Sequence, residues 1–284
     1  MNLTRRLRDT AQTDTAPKSC VLRERARHKP RMRLSALLPL LPFAVLGLTY
    51  YVISAAYTAT FESGVLGNTD MVTPPISLLM FAGRGKIIGQ LGFPAIALGF
   101  YCCALPFFHG LTSCPSLGVP DATFLFVTSC VAFASLAAVG IVPLQPDIAL
   151  VMQGQARLGL VSLAHQSAAG SFFLFTILHM IAWLHLTATV PPGSPLHWRR
   201  GRCSALFKAA CLLLALFPLP SAFLLHPASP LRSHLSLSEA DKGGITQYSL
   251  VALVSAFFAS YAVEMRLIDV LVRRDQDAKT AKSS

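Results

Sequence analysis

Three of the four histidines between Arg157 and Arg199, a stretch with no Asp, Glu, Lys or Arg, are His165, His179 and His185, within its apolar run. Imidazole can serve as a general base, a proton shuttle or a metal ligand, and a polar group inside an apolar segment is a functional candidate by default. Helical geometry limits what the three can do together. Residues 165 and 179 share a helix face but stand about 21 Å apart at 1.5 Å per residue, and 179 and 185 point to nearly opposite sides. No pair can grip one metal ion, and the His-x-x-x-His spacing of helical metal sites is missing. The seven cysteines include no Cys-x-x-Cys pair, so no metal site is expected. His179 and His185 read as packed or interfacial groups, whereas His165, near the start of its segment, is open to partners from neighbouring loops.

Ser77 is one such partner, and with Asp70, Asp147 or Asp241 it could complete a Ser-His-acid arrangement. No nucleophile-elbow glycine pattern surrounds it, so a lipid acyl-transfer enzyme using Ser77 and His165 is the lesser reading. Arg84 and Lys86, in Gly83-Arg84-Gly85-Lys86, suit a lipid phosphate, Arg by bidentate hydrogen bonds and Lys as a point charge. With Gln247 and Tyr248 at the start of the last apolar segment, the candidate polar or lipid-headgroup site is Ser77, Arg84, His165, Gln247 and Tyr248. The bland alternative is that Arg84 and Lys86 anchor a helix end and His165 packs against loop backbone. No Gly-rich phosphate loop, nucleotide fingerprint or haem motif appears, so neither a catalytic assignment nor a cofactor is expected. Glu264 and Arg266, followed by Asp269 and Arg273 at helical spacing, read as ion pairs that anchor the end of the last segment.

The elements that must position these groups follow from where charge is absent. Besides 158–198, the windows 34–61, 87–120, 122–146, 209–231 and 243–263 contain no Asp, Glu, Lys or Arg. A bilayer crossing needs about 20 apolar residues, and a central charge costs about 2.5–3.5 kcal/mol, so each window predicts one membrane-spanning helix. Charged residues are 13% and hydrophobic residues 53% of the 284, half and somewhat more than the usual shares of a soluble domain. The near-continuous apolar run from Val161 to Val190 excludes the alternating strands of a membrane β-barrel. The expected fold is an all-α, polytopic six-helix bundle, with spans near 36–57, 87–108, 122–144, 162–186, 203–225 and 246–270. The expected organisation is a basic, disordered tail over 1–35, the transmembrane domain over 36–270 and a short polar tail over 271–284. Small residues four apart, which let helices approach in lipid, are Ala95 and Gly99, Ala134 and Ala138, Ala164 and Ala168, Ser167 and Ser171, and Ala252, Ala256 and Ser260.

Nineteen of the 24 basic residues fall before the first span, around the start of the fifth or at the C-terminal end, and five fall in the odd-numbered loops. The positive-inside rule then places both termini in the cytosol. The loop over 58–86 and the starts of spans two, four and six share the other face, which is what lets the candidate site converge. On this orientation all seven cysteines lie in cytosolic segments or cytosolic halves of spans, which excludes a lumenal disulfide framework, and Cys203, beside Arg199, Arg200 and Arg202, is a candidate for palmitoylation. The net charge of +11 concentrates in the tail, where aromatic stacking platforms are absent. That composition suits anionic lipid rather than nucleic acid. Asp9, Asp14 and Glu24 in the tail argue against a mitochondrial leader, and the long basic region argues against a cleaved signal peptide.

Several short motifs together resemble the DRAM/Frag/Sfk family, which includes damage-regulated autophagy modulators and GPI-anchor lipid-remodelling proteins. They are Pro75-Ile76-Ser77 and Gly83-Arg84-Gly85-Lys86-Ile87-Ile88; His165 with Ala168, Ala169, Phe172 and Phe173; and Gln247-Tyr248 with Phe257, Phe258, Ser260, Tyr261 and Glu264. The likeness covers about 36–270. Gln247 stands where the family usually has an acid, and Leu78-Leu79-Met80-Phe81 replaces a polar run. The resemblance implies a non-catalytic role in membrane-lipid homeostasis, with phosphoinositide or GPI lipid as partner, in the ER, Golgi, lysosome or plasma membrane. A small-solute channel or carrier is the competing class, disfavoured because every acid lies at a membrane edge. The expected orientation is checked by protease protection of epitope tags at residues 2 and 284. Both tags should be digested from the cytosolic side, and a protected C-terminal tag would contradict the six-span arrangement.

Overall fold

The computed structural model describes residues 38–63, 72–80, 83–112, 119–142, 144–145, 157–190, 197, 202–217, 223–227, 229–237 and 241–266. Both polar tails, with Asp70, Asp147, Asp269 and Arg273, lie outside them. A single 3-10 turn at Leu38–Leu40 leads into α1 (Leu41–Glu62). It is followed by α2 (Ile76–Leu79), α3 (Gly83–Thr112), α4 (Val119–Ile141), α5 (Leu160–Thr189), α6 (Arg202–Leu216), α7 (Pro230–His234) and α8 (Lys242–Ala259), with helix resuming over 261–266. No strand occurs among the described residues. Five segments, Leu41–Glu62, Gly83–His109, Ala122–Ile141, Leu160–Thr189 and Lys242–Arg266, are long and apolar enough to cross a membrane. The chain is an all-α polytopic membrane bundle.

The span expected at 203–225 is represented by α6, whose 15 residues rise about 22 Å, less than the roughly 30 Å hydrocarbon slab. Its contacts set it against the last apolar segment. Lys208 in α6 bonds Glu264 near the end of the last helix, while Leu225 packs with Ile245 near that helix's start. Positions 245 and 264 are about 28 Å apart along a helix, so α6 and Leu225 meet opposite ends of the last apolar segment. Helix α1 packs on α3, α3 on α4, α4 on α5, α5 on α6, α6 on α8 and α8 back on α1, closing a ring.

Glycine sets the closest approaches in this ring. A Cβ at Gly92 would lie 2.4 Å from Val52, one at Gly99 2.8 Å from Val45, and one at Gly140 2.6 Å from Pro94. Gly92 and Gly99 are seven residues apart and so present one face of α3 to α1. Of the small residues expected to line seams, Gly99 does so, but Ala95, Ala134, Ala164, Ser167 and Ala252 are exposed. Lipid accepts a small apolar side chain as readily as a neighbouring helix does, so four-residue spacing alone does not select the buried face.

The half of the bundle nearer the end of α8 is filled by aromatic rings. Phe107 stacks on Tyr261 at 4.7 Å between centroids, Phe100 on Phe133 at 5.5 Å, and His179 on Phe258 at 5.4 Å. At its edge Lys208 Nζ donates to Glu264 Oε1 at 2.6 Å, with side chains only 1% and 8% exposed. Ser204 Oγ donates to the same carboxylate and accepts from Lys208. The ammonium also faces the rings of Trp183, Phe257 and Tyr261 at 5.2–5.8 Å. Glu264 therefore pairs across the bundle with Lys208, where a pairing along its own helix was expected. The physical reason is burial: an ammonium in this layer needs an anion in contact, whereas groups at a helix end can use water. Replacing one partner, by Lys208→Met or Glu264→Gln, should cost about 3–5 kcal/mol, and Lys208→Met with Glu264→Leu should recover most of it. Thermal unfolding in detergent checks this; single variants as stable as the parent would mean that the pair is not buried.

Candidate functional site

The site is organised by a segment that is mostly not helical. Pro74 and Pro75 interrupt the chain and hold it extended, with Pro75 at φ −52°, ψ 141°, because the proline ring fixes φ and restrains the preceding residue. The single turn of α2 follows. Residues 72–80 are then bonded to α1 and to the start of α8. Thr60 Oγ1 in α1 donates to Leu79 O at 2.9 Å, and Tyr57 OH donates to Val72 O at 3.0 Å. From α8, Asp241 Oδ1 accepts from both the Thr73 amide, at 2.6 Å, and its hydroxyl, at 3.0 Å, while Gln247 Oε1 accepts from the Ile76 amide at 2.9 Å. Two glycines make the approach possible: a Cβ at Gly85 would stand 2.2 Å from Leu79 O, and one at Gly244 would stand 1.7 Å from Thr73 O.

Ser77, on α2, is 9% exposed and His165, on α5, is fully buried. Ser77 Oγ lies 3.4 Å from His165 Nε2, and His165 Nδ1 lies 2.8 Å from Val142 O at the end of α4. A carbonyl oxygen only accepts, so the hydrogen-bond network assigns the proton to Nδ1 and leaves the Nε2 lone pair facing the serine hydroxyl. The Ser162 hydroxyl one turn earlier accepts from the Gln145 amide at 3.1 Å, a second clamp between α5 and the chain after α4. Gln247 shares an apolar slot with Ser77, walled by Phe172, Phe173, Leu136 and Val251. Its oxygen is used by Ile76, and its amide N–H groups have no partner among the described residues.

The predicted residues are thus partly united. Ser77, His165 and Gln247 converge, although they are separated by 88 and 82 positions in sequence. Tyr248 sits beside them but turns its ring to a different cavity, and its hydroxyl is buried with no partner among the described residues. Arg84 is exposed at the second residue of α3 and takes no part in these bonds. Asp241, one of the acids considered for a triad, is bound to Thr73. Among the described residues a backbone carbonyl therefore occupies the place of the acid.

On the opposite level His179 is fully buried, with Nδ1 3.1 Å from Leu125 O and Nε2 2.5 Å from Tyr261 OH. It is a bonded core histidine, with Thr128 Oγ1 3.3 Å from Nδ1; His185 is exposed. Cys203 is exposed at the start of α6. No group of three His, Cys, Asp or Glu that could hold a metal occurs among the described residues. The docking contacts of Thr60, Thr73 and Gly244 were not anticipated from sequence. The signal available was the Gly243-Gly244 pair at the start of a helix, where glycine is costly unless something packs against it. Comparison with protein-family models, curated proteins and solved structures gives no match.

Substitution at Gly244 tests the docking. Gly244→Ala drives its methyl into the Thr73 carbonyl and should cost about 1–3 kcal/mol as an overpacking change. Gly243→Ala, whose Cβ would meet only Pro75 at 3.4 Å, should leave the melting temperature near that of the parent. Equal effects of the two would contradict the close contact.

Proposed function

We propose that this multi-pass membrane protein acts in membrane-lipid homeostasis, in the manner the DRAM/Frag/Sfk resemblance implies: GPI-anchor lipid remodelling, phosphoinositide organisation or an autophagy-linked role. Its work is done on lipid at the non-cytosolic leaflet of an endomembrane, in the ER, Golgi or lysosome, or of the plasma membrane. The observation that carries this reading is a cavity of about 590 Å³ between α1 and α8. Its walls are apolar, from Leu46 and Ile53 on α1 to Val251 and Ala252 on α8, and Tyr57, Thr73 and Tyr248 line it toward the α2 end. From Leu46 to Thr58 it follows α1 for about 18 Å, and its volume falls in the roughly 300–1,000 Å³ range of small-molecule sites. An elongated apolar space that meets hydroxyl-bearing side chains near one leaflet suits a lipid tail carrying a polar group at its end. The competing solute carrier finds less support: the buried ion pair is internally matched and sits at one end of the bundle.

The reading is tested with a phospholipid bearing a photoactivatable acyl chain, incorporated into membranes that contain the full-length protein. Cross-links should map to residues 46–58 and 248–255 and saturate with probe. Ala252→Trp, which fills the cavity from an exposed position, should reduce them at least fivefold. Uniform labelling of every lipid-facing helix, unchanged in the Trp variant, would contradict the reading. So would a deletion strain with an unaltered lipid profile and a defect confined to solute uptake.

A further inference from the structure

We propose that Ser77 is a nucleophile activated by His165, and that the chain cleaves or transfers the acyl group of a membrane-lipid ester at the non-cytosolic leaflet. The proposal rests on the lipid reading above and adds the chemistry. Ser77 and Gln247 line one apolar slot, and His165 lies buried behind Ser77. The Ser77 hydroxyl faces an imidazole nitrogen at 3.4 Å. That nitrogen is a base because the other is held as a donor by Val142 O. The Gln247 side chain is fixed through its oxygen by Ile76 N–H, which leaves its amide N–H groups free to donate in the slot where Ser77 lies. Nucleophile, oriented base and carbonyl-polarising donor are the parts that acyl transfer requires. The serine–imidazole separation exceeds a good O–H···N bond by about 0.6 Å, and contacts of this kind shorten when substrate is in place.

The reaction balances without a cofactor. Ser77 Oγ attacks the ester carbonyl carbon while its proton passes to His165 Nε2. The oxyanion so formed accepts from the Gln247 amide. Collapse breaks the bond to the lipid alcohol, which leaves with the proton from Nε2, and the acyl group remains on Ser77. Water then repeats the sequence in reverse to release a fatty acid, or a second lipid alcohol takes the acyl group and gives a new ester. The substrate class follows from the walls. Val251 lines both the slot and the larger cavity, so an acyl chain held against α1 and α8 lies next to the nucleophile.

The test is phosphonylation of the full-length protein, in detergent micelles, by a long-chain alkyl fluorophosphonate, followed by peptide mapping. Modification should fall on Ser77 and vanish in Ser77→Ala. His165→Asn keeps a side-chain N–H for Val142 O but removes the base, and should slow labelling at least tenfold. Gln247→Glu keeps the acceptor for Ile76 and removes the donors, and should also slow it. Photo-cross-linking of the acyl phospholipid is measured on each sample as the readout of folding and lipid binding. A parent protein that cross-links lipid but is not phosphonylated overturns the nucleophile while leaving the lipid reading intact. Labelling elsewhere, or at an unchanged rate in His165→Asn samples that still cross-link lipid, overturns it equally. Loss of cross-linking in the parent is failure of the lipid reading itself.

Discussion

Backbone amides at the depth of a membrane must find their partners in the protein, because lipid offers none. Within the long described helices the backbone meets most of that demand itself. Residues 72–80 cannot meet it alone, since two prolines and a single helical turn leave amides and carbonyls open. Thr60, Tyr57, Asp241 and Gln247 supply the missing partners from two helices, and Gly85 and Gly244 clear the space. Everything proposed about the site depends on this docking. It presses Ser77 against His165, presents Gln247 to the same slot, and brings Val72 and Thr73 to the α2 end of the cavity between α1 and α8.

The two polar levels of the bundle illustrate different uses of burial. At the level of Lys208 and Glu264 one oxygen of the carboxylate takes both the ammonium and the Ser204 hydroxyl, and aromatic rings close around the cation. That arrangement ties α6 to the end of the last apolar segment and gives the shortest helix of the ring its place. At the level of Ser77 and His165 hydrogen bonds fix orientation but leave capacity unused: an imidazole lone pair toward a hydroxyl, and amide donors toward an apolar slot. A charge-paired cluster suits support, and an oriented one with a base and donors facing a slot suits recognition or chemistry.

What could be read from sequence followed from quantities that are local. Charge-free windows mark the helices, and the positive-inside argument groups the loop after the first helix with the starts of the second, fourth and sixth, which is how Ser77, His165 and Gln247 could be brought together from widely separated positions. What could not be read depends on azimuth and on partner choice. Apolar residues face both lipid and neighbour, so periodicity did not tell Gly99 from Ala95. Glu264 has cations near it along the chain, yet the one that matters reaches it from α6. Asp241 could have served His165 by its level in the membrane, but the Thr73 backbone takes its carboxylate. Arg84 lies one residue from a buried glycine and still points outward, because in a helix neighbours in sequence are about 100° apart around the axis.

The central claim is that residues 72–80 are bonded into the bundle. Hydrogen–deuterium exchange of the full-length protein in lipid nanodiscs addresses it most directly, through the amides of Thr73 and Ile76. Both are predicted to exchange on the slow timescale of the surrounding helices, because Asp241 and Gln247 occupy them. Exchange as fast as that of an open loop, with the helices themselves protected, would contradict the docked segment and with it the site.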